Sequence, residues 1–385
     1  MSFKFQGARE LLTTETTNPL VEELKKAIDD AQNPLSSIQF SGKSIGIDAA
    51  RILAPALALL PPQTLAIDFS DIISGRPEEE ALQSLRVLSE PFQSRKKMVE
   101  INLSDNALGL KGINACFDIL SGQEELERIF LNNNGIDEEG AKRLAEILLC
   151  QPTTKYTKLH MVNNLLRDGG AAALAKVLAA SPQMEDIKFS ANRFGEKGGL
   201  ALVSGLVEGS SRLTSLELSD NSFGGKAVPI LSDIIKKQKS LRHLSLADAS
   251  LGAEGVITVI EALMETLPPL ESLDISGNDI DEETSETVAE LIGHLPSLRR
   301  LVVSNNELED GAKNVAKAIV SHGAIESVDF SSNCISNETV KAVRKMIGKK
   351  TKVNLEDNDE DEDEEETEED DDVAGITESI STVKI

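Results

Sequence analysis

The chain has no tryptophan, a single tyrosine and three cysteines in 385 residues. So few large rings leave little for stacking nucleic-acid bases, and basic residues are too scarce to track phosphates, which excludes nucleic acid as the expected partner. Cys116, Cys150 and Cys334 are dispersed and make no C-x-x-C pair. That rules out a disulfide framework and implies reduced thiols inside a cell. No basic-then-apolar segment opens the chain, and the longest apolar run, 52–60, contains Pro55. It is about half a membrane span, so neither a signal segment nor membrane insertion is expected. His160, His243, His294 and His322 stand far apart, with no metal-ligand spacing and no nucleophile elbow around a serine. The acidic stretch DNDEDED (357–363) lacks the central glycine of a calcium loop. No metal and no cofactor are therefore expected, and intrinsic enzyme activity is not.

Positive charge is also short: 39 Lys and Arg face 65 Asp and Glu, for a net −26. Fifteen of the acids lie in 356–372, and without them 50 acidic residues still oppose 39 basic ones. A basic protein surface fits that sign. The run beyond Lys352 cannot bury apolar surface, so 353–385 is expected to be a disordered acidic tail. It reads either as a solvated charge run or as an attractor for a basic partner.

What the chain does have is a phrase returning every 27 to 30 residues, as in INLSDNALG (101–109), LELSDNSFG (216–224) and LDISGNDI (273–280). The wording L-x-x-L-x-L-x-x-N-x-L is that of leucine-rich repeats. Apolar and polar residues alternate in each expected strand, as in Ile101-Asn102-Leu103, and helical spacing comes next, as in Leu144, Ile147 and Leu148. The fold class is an α/β solenoid: a horseshoe of about eleven repeats, parallel strands concave and helices convex. Strands are expected near 38–40, 65–69, 99–103, 127–131, 157–161, 185–189, 214–218, 242–246, 271–275, 299–303 and 326–330, within a repeat domain of 36–352. Residues 1–35 read as an N-terminal cap, with a stunted strand at 3–7 and a helix begun by Asn18 and Pro19.

Asn106, Asn134, Asn164, Asn192, Asn221, Asn278, Asn306 and Asn333 form one column, read as an inward ladder satisfying backbone groups. The preceding column includes Asp105, Asn133, Asn163, Asp220 and Asp248, read as an outward rim free to bind. Ile72 to Asn106 spans 34 residues, six or so beyond the period, so a protruding loop is expected after SGRPEEE. Arg76 at its start reads as an arginine finger, or as a surface arginine neutralising Glu78, Glu79 and Glu80.

In DFSDIISGRPEEEAL (68–82), LSDNALG (103–109) and LNNNGIDEEGA (131–141), taken in that order, the chain resembles the Ran GTPase-activating proteins. The resemblance covers roughly 3–350. It implies activation of the GTP form of a Ran-type GTPase, with GTP and magnesium carried by the partner, a Ran-binding protein as a further partner, and a monomeric activator. It implies that Asn133 is the catalytic asparagine that positions the GTPase's own glutamine, and that Arg76 binds without acting as an essential finger. Asn132 stands where fungal members have histidine. Asp71, Asp105, Asn163, Asp220 and Asp248 complete the expected contact set along the rim. Nucleocytoplasmic transport is the implied process, and the cytoplasm the implied location, with the nuclear envelope as its alternative. The competing readings are a stoichiometric inhibitor, as ribonuclease inhibitors are, and a scaffold for a basic protein.

Overall fold

The computed structural model describes residues 1–5, 10–151, 154–209 and 212–358. Thirteen strands lie side by side in one sheet in chain order, every neighbouring pair parallel. Eleven correspond to the expected repeats. The others are Ser2–Lys4 at one end and Lys352–Asn354 at the other. Each strand is three residues long, and all but the two end strands, whose Phe3 and Val353 are half-buried, have a buried apolar centre, such as Ile67, Ile101, Ile129 and Leu159, which sit opposite one another in register. A second apolar column, including Phe69, Leu103, Leu131 and Met161, turns inward just after the strands.

Helices return the chain along the other side. The helix Glu138–Leu149 is capped by Asp137, whose carboxylate accepts from the Gly140 N–H, and it buries Leu144, Ile147 and Leu148 as their spacing requires. Adjacent strands pack about 4.8 Å apart and adjacent helices about 8–10 Å, so a stack of such units must bend toward its strands. The strands therefore line the concave face. At the N-terminal end the rings of Phe5, Phe40, Phe69 and Phe92 touch in series, with centroids 4.2, 5.4 and 6.1 Å apart. This aromatic spine ties the first strand to the repeats behind it.

Three expectations are corrected. The cap helix runs Thr14–Asp29 and starts at a Thr13–Thr16 capping box, which places Pro19 inside the helix rather than at its first position. The extra residues of the long unit make no protruding loop. They are divided between a longer turn from Asp68 to the helix Glu78–Ser89 and a further turn of 3₁₀ helix, Glu90–Phe92, and Arg95 beyond it donates to the carbonyls of Leu60, Pro61 and Thr64 in the previous unit. Lastly, the repeats do not stop at Lys352: Lys352–Asn354 pairs with Ser327–Asp329, and Leu355 is buried. The acidic run from 359 onward, with the disorder expected of it, lies outside the described residues.

Candidate partner-binding rim

The ladder asparagines are buried, and each donates its amide to a backbone carbonyl of the unit before; among the described residues the Oδ1 atoms of Asn192 and Asn333 accept nothing. Asn164 Nδ2 donates to the carbonyls of Leu131, Met161 and Val162, while its Oδ1 accepts from the N–H groups of Asn134 and Ile136 at 3.1 and 3.0 Å. The ladder also has a ninth asparagine. Asn358 bonds the carbonyls of Phe330 and Leu355 and accepts from Asn333 N–H, although in sequence it is embedded in acids. One unit breaks the series: Ala249 occupies the column, and the Phe223 N–H turns to the Ala249 carbonyl instead.

The rim column has a property that side-chain pattern alone did not reveal. Every member is left-handed, with φ of 52° at Asp71, 64° at Asp105, 53° at Asn133, 55° at Asn163, 53° at Asp220 and 48° at Asp248. Asn, Asp and Gly tolerate that region best, so the polarity of this column is first a backbone requirement. Gly277 shows the constraint most tightly. A Cβ there would lie 2.0 Å from Asp248 Oδ1, and only its absence lets Asn305 Nδ2 reach that oxygen across the unit, at 3.4 Å.

Three rim residues form a chain of their own. Asn163 Nδ2 donates to Asn133 Oδ1 at 2.9 Å, and Asn133 Nδ2 donates to Asp105 Oδ1 at 2.7 Å. All three are exposed. An amide has two N–H donors and two oxygen lone pairs. Asn133 is thus held at both ends and keeps one donor and one acceptor for a partner. Asn132 lies one position inward, half-buried, where its Oδ1 accepts from Val162 N–H and its own N–H meets Ser104 Oγ.

Arg76 is not free. Its guanidinium donates to Ser44 Oγ at 3.0 Å and to the carbonyls of Ser44 and Leu12 at 3.0 and 3.3 Å, and it lies 3.6 Å from Glu80. Only 17% of the side chain is accessible. Of the two readings left open, the one that neutralises a glutamate fits, with Glu80 the glutamate concerned and three neutral acceptors added. Arg76 still borders a groove of about 760 Å³ that includes Asp105, Ala107, Lys111 and Asp137, so it shares an opening with one end of the rim chain. Asp71 continues the same column before Asp105. Ala191 interrupts it, and Asp220 and Asp248 lie beyond.

Sequence reasoning missed a charged band on the concave face. Glu100 meets Arg128 at 2.7 Å, Lys158 meets Asp186 at 3.2 Å, and Lys188 meets Glu217 at 2.5 Å, each pair opposite across neighbouring strands. His160 packs edge-on to Phe130 and comes within 3.1 Å of Asp186. The signal was present as charges flanking each central apolar residue in EIN, RIF, KLH, DIK and SLE. Burial alone would raise the Asp186 carboxyl, but His160 and Lys158 beside it prevail and hold it down at about 2. A depressed acid stabilises the fold above its unfolded value near 4 and loses that contribution as pH falls through about 2. Asp186→Asn should therefore cost about 2 kcal/mol at pH 7, and chemical denaturation should show the gap from wild type closing only between about pH 4 and 2.

Among the described residues no group of His, Cys, Asp and Glu is placed to hold a metal ion, and no helix is long and apolar enough to cross a membrane. Of the thiols, Cys116 is buried, which pushes it up to about 12, while Cys150 and Cys334 are exposed.

A leucine-rich repeat family model matches residues 266–283. The RAN GTPase-activating protein 1 of Arabidopsis thaliana is 36% identical over 125 residues, 32% of this chain and 22% of that protein. The Ran GTPase-activating protein 1 of Saccharomyces cerevisiae is 26% identical over 292 residues, covering 72% of this chain and 70% of the yeast protein. The chain is similar in sequence to proteins named Ran GTPase-activating protein in a plant and in yeast. It spans about a fifth of the length of its Arabidopsis relative, but the larger part of the yeast one. Among solved structures, the yeast Rad7 and Elc1 complex aligns over 89% of this chain and 82% of that one, with a TM-score of 0.51 at 15% identity, a likeness of fold alone.

Proposed function

We propose that the chain activates GTP hydrolysis by a Ran-type GTPase in its GTP form, with Asn133 as the residue that engages the partner's catalytic glutamine. The reading is supported by the names of the plant and yeast homologues and rests on one observation of geometry. Asn133 is fixed from both sides by Asp105 and Asn163, and still offers one donor and one acceptor outward. That pair is complementary to another primary amide, which can accept from and donate to it side by side. Holding that second amide still aligns the water that attacks the phosphate, and such alignment lowers a barrier without the activator taking part in bond making. On this reading nucleotide and magnesium belong to the partner, and Asp71, Asp105, Asp220 and Asp248 present acid to its basic surface. The process served is nucleocytoplasmic transport, from the cytoplasm or from the nuclear envelope.

Hydrolysis with the protein at about one-hundredth of the GTPase concentration tests the proposal. An activator turns over the whole GTP-loaded pool, whereas an inhibitor or scaffold acts at most in proportion to its own amount. Arg76 supplies a second check. Arg76→Ala should leave the saturated single-turnover rate within about tenfold of wild type, because its guanidinium is engaged inside the repeats, and a finger contributes on the order of 10³ or more. Its cost should appear in stability, about 1–3 kcal/mol, from the unpaired carbonyls of Leu12 and Ser44. A rate loss beyond about 10³ at saturation would restore the finger.

A further inference from the structure

The long turn after Asp68 and the helix Glu78–Ser89 leave a space that the next unit does not fill. That unit opens its helix, Gly109–Ala115, with Gly109-Leu110-Lys111-Gly112, so two of the first four residues bring no side chain. A Cβ on Gly112 would lie 2.6 Å from Leu108 Cβ, so the smallness there is built in. The space left is the groove of about 760 Å³ that Arg76 borders. Its walls are largely apolar, with Ile73, Leu82 and Leu85 on one side and Leu108 and Leu110 on the other. Leu110 is 37% exposed, and covering it would take apolar surface out of water.

The groove is acidic where it meets solvent. Glu78, Asp105 and Asp137 are exposed carboxylates that line it, against one exposed cation among the described lining residues, Lys111, which lies 2.5 Å from Glu78. Arg76 lines it as well, but its charge is turned to Glu80 and to the acceptors of Ser44 and Leu12. Asp105 makes the groove continuous with the rim, because the same side chain accepts from Asn133 Nδ2 at 2.7 Å. A partner that reaches Asn133 therefore passes beside this opening. We propose that the groove receives an apolar side chain of the GTP-loaded GTPase, flanked on the GTPase surface by a basic residue that faces Glu78, Asp105 and Asp137. The inference rests on the reading of Asn133 given above. Apolar anchors seated in pockets carry much of the affinity of an interface. An anchor that makes the same contact before and during hydrolysis acts on affinity and leaves the saturated rate alone.

The test measures affinity for the GTPase loaded with a non-hydrolysable GTP analogue, and separately the saturated single-turnover rate with GTP. Leu110→Arg removes an apolar wall and adds a repelling charge. It should weaken affinity at least about tenfold and leave the saturated rate within about twofold. Should that variant melt below wild type, Leu110→Ser is the milder form and should weaken affinity about threefold. Lys111→Glu should have the opposite sign, because it removes the one exposed cation of an exposed and therefore weak ion pair. Affinity should rise about threefold at low salt, and the gain should vanish in 0.5 M salt. In wild type, binding should slow backbone hydrogen exchange over 108–112 at least about threefold. Wild-type affinity in folded Leu110→Arg and Leu110→Ser, or exchange over 108–112 unchanged in the complex, would overturn the groove while leaving the role of Asn133 standing. A wild-type chain that binds no GTPase would overturn both.

Discussion

Removing the Asn133 side chain should slow stimulated hydrolysis at least about 10²-fold at saturating protein, with affinity for the GTP-loaded partner changed by less than about tenfold. Loss of alignment at a reacting centre is worth that much, while one exposed amide adds little to a whole interface. The left-handed backbone dictates the variant. Alanine at φ of 53° brings a strain of about 1–2 kcal/mol, so Asn133→Gly is the cleaner probe, because it deletes the amide and keeps the conformation. Asp105→Gly and Asn163→Gly keep the left-handed backbone, each release one end of that amide and should give intermediate rates at saturation, with Asp105→Gly also weakening partner affinity because it removes an acid from the rim. Full activity in folded Asn133→Gly would sink the mechanism and leave a binding platform.

Asn164→Leu should have the largest effect on stability. It leaves two N–H groups and three carbonyls without the amide that now serves them. At about 1–3 kcal/mol for each unsatisfied buried group, partly offset where a carbonyl has another donor, the total is about 3–5 kcal/mol. Melting should drop by several degrees or more, and activity should track the folded fraction. Asn192→Leu should cost less, since Asn192 Oδ1 has no hydrogen-bond partner among the described residues to lose. Equal melting of Asn164→Leu and wild type would show that the ladder does not support the fold.

The repeat was legible because its two constraints are both written in side chains. A buried strand centre must be apolar, as Ile101 and Leu159 are, and a buried amide must be asparagine to serve donors and acceptors at once. Backbone dihedrals are not written so directly. The rim reads as a row of polar residues free to bind, and its Asp, Asn and Gly do carry the left-handed signal, but only coordinates separate conformational need from binding. Arg76 was misplaced for a related reason. Period counting finds surplus residues without saying which part of the unit takes them, and here they are divided between the turn at Arg76, whose guanidinium folds back onto Ser44, and the return path through Arg95. The boundary at Lys352 failed because Asn358 sits among acids, and composition outweighed the one residue that continues the column.

The missing amide at Ala249 has a mechanical consequence. Polar bracing between units runs from Asn106 to Asn221 and resumes from Asn278 to Asn358, so the horseshoe is two stiff arcs joined at a more compliant seam. A load that opens the curve should concentrate its bending between the Asn221 and Ala249 units, because Asn278 still donates to the Leu246 carbonyl and accepts from Leu251 N–H. The rim chain at Asp105, Asn133 and Asn163 lies wholly within the first arc, where such bending leaves its spacing unchanged.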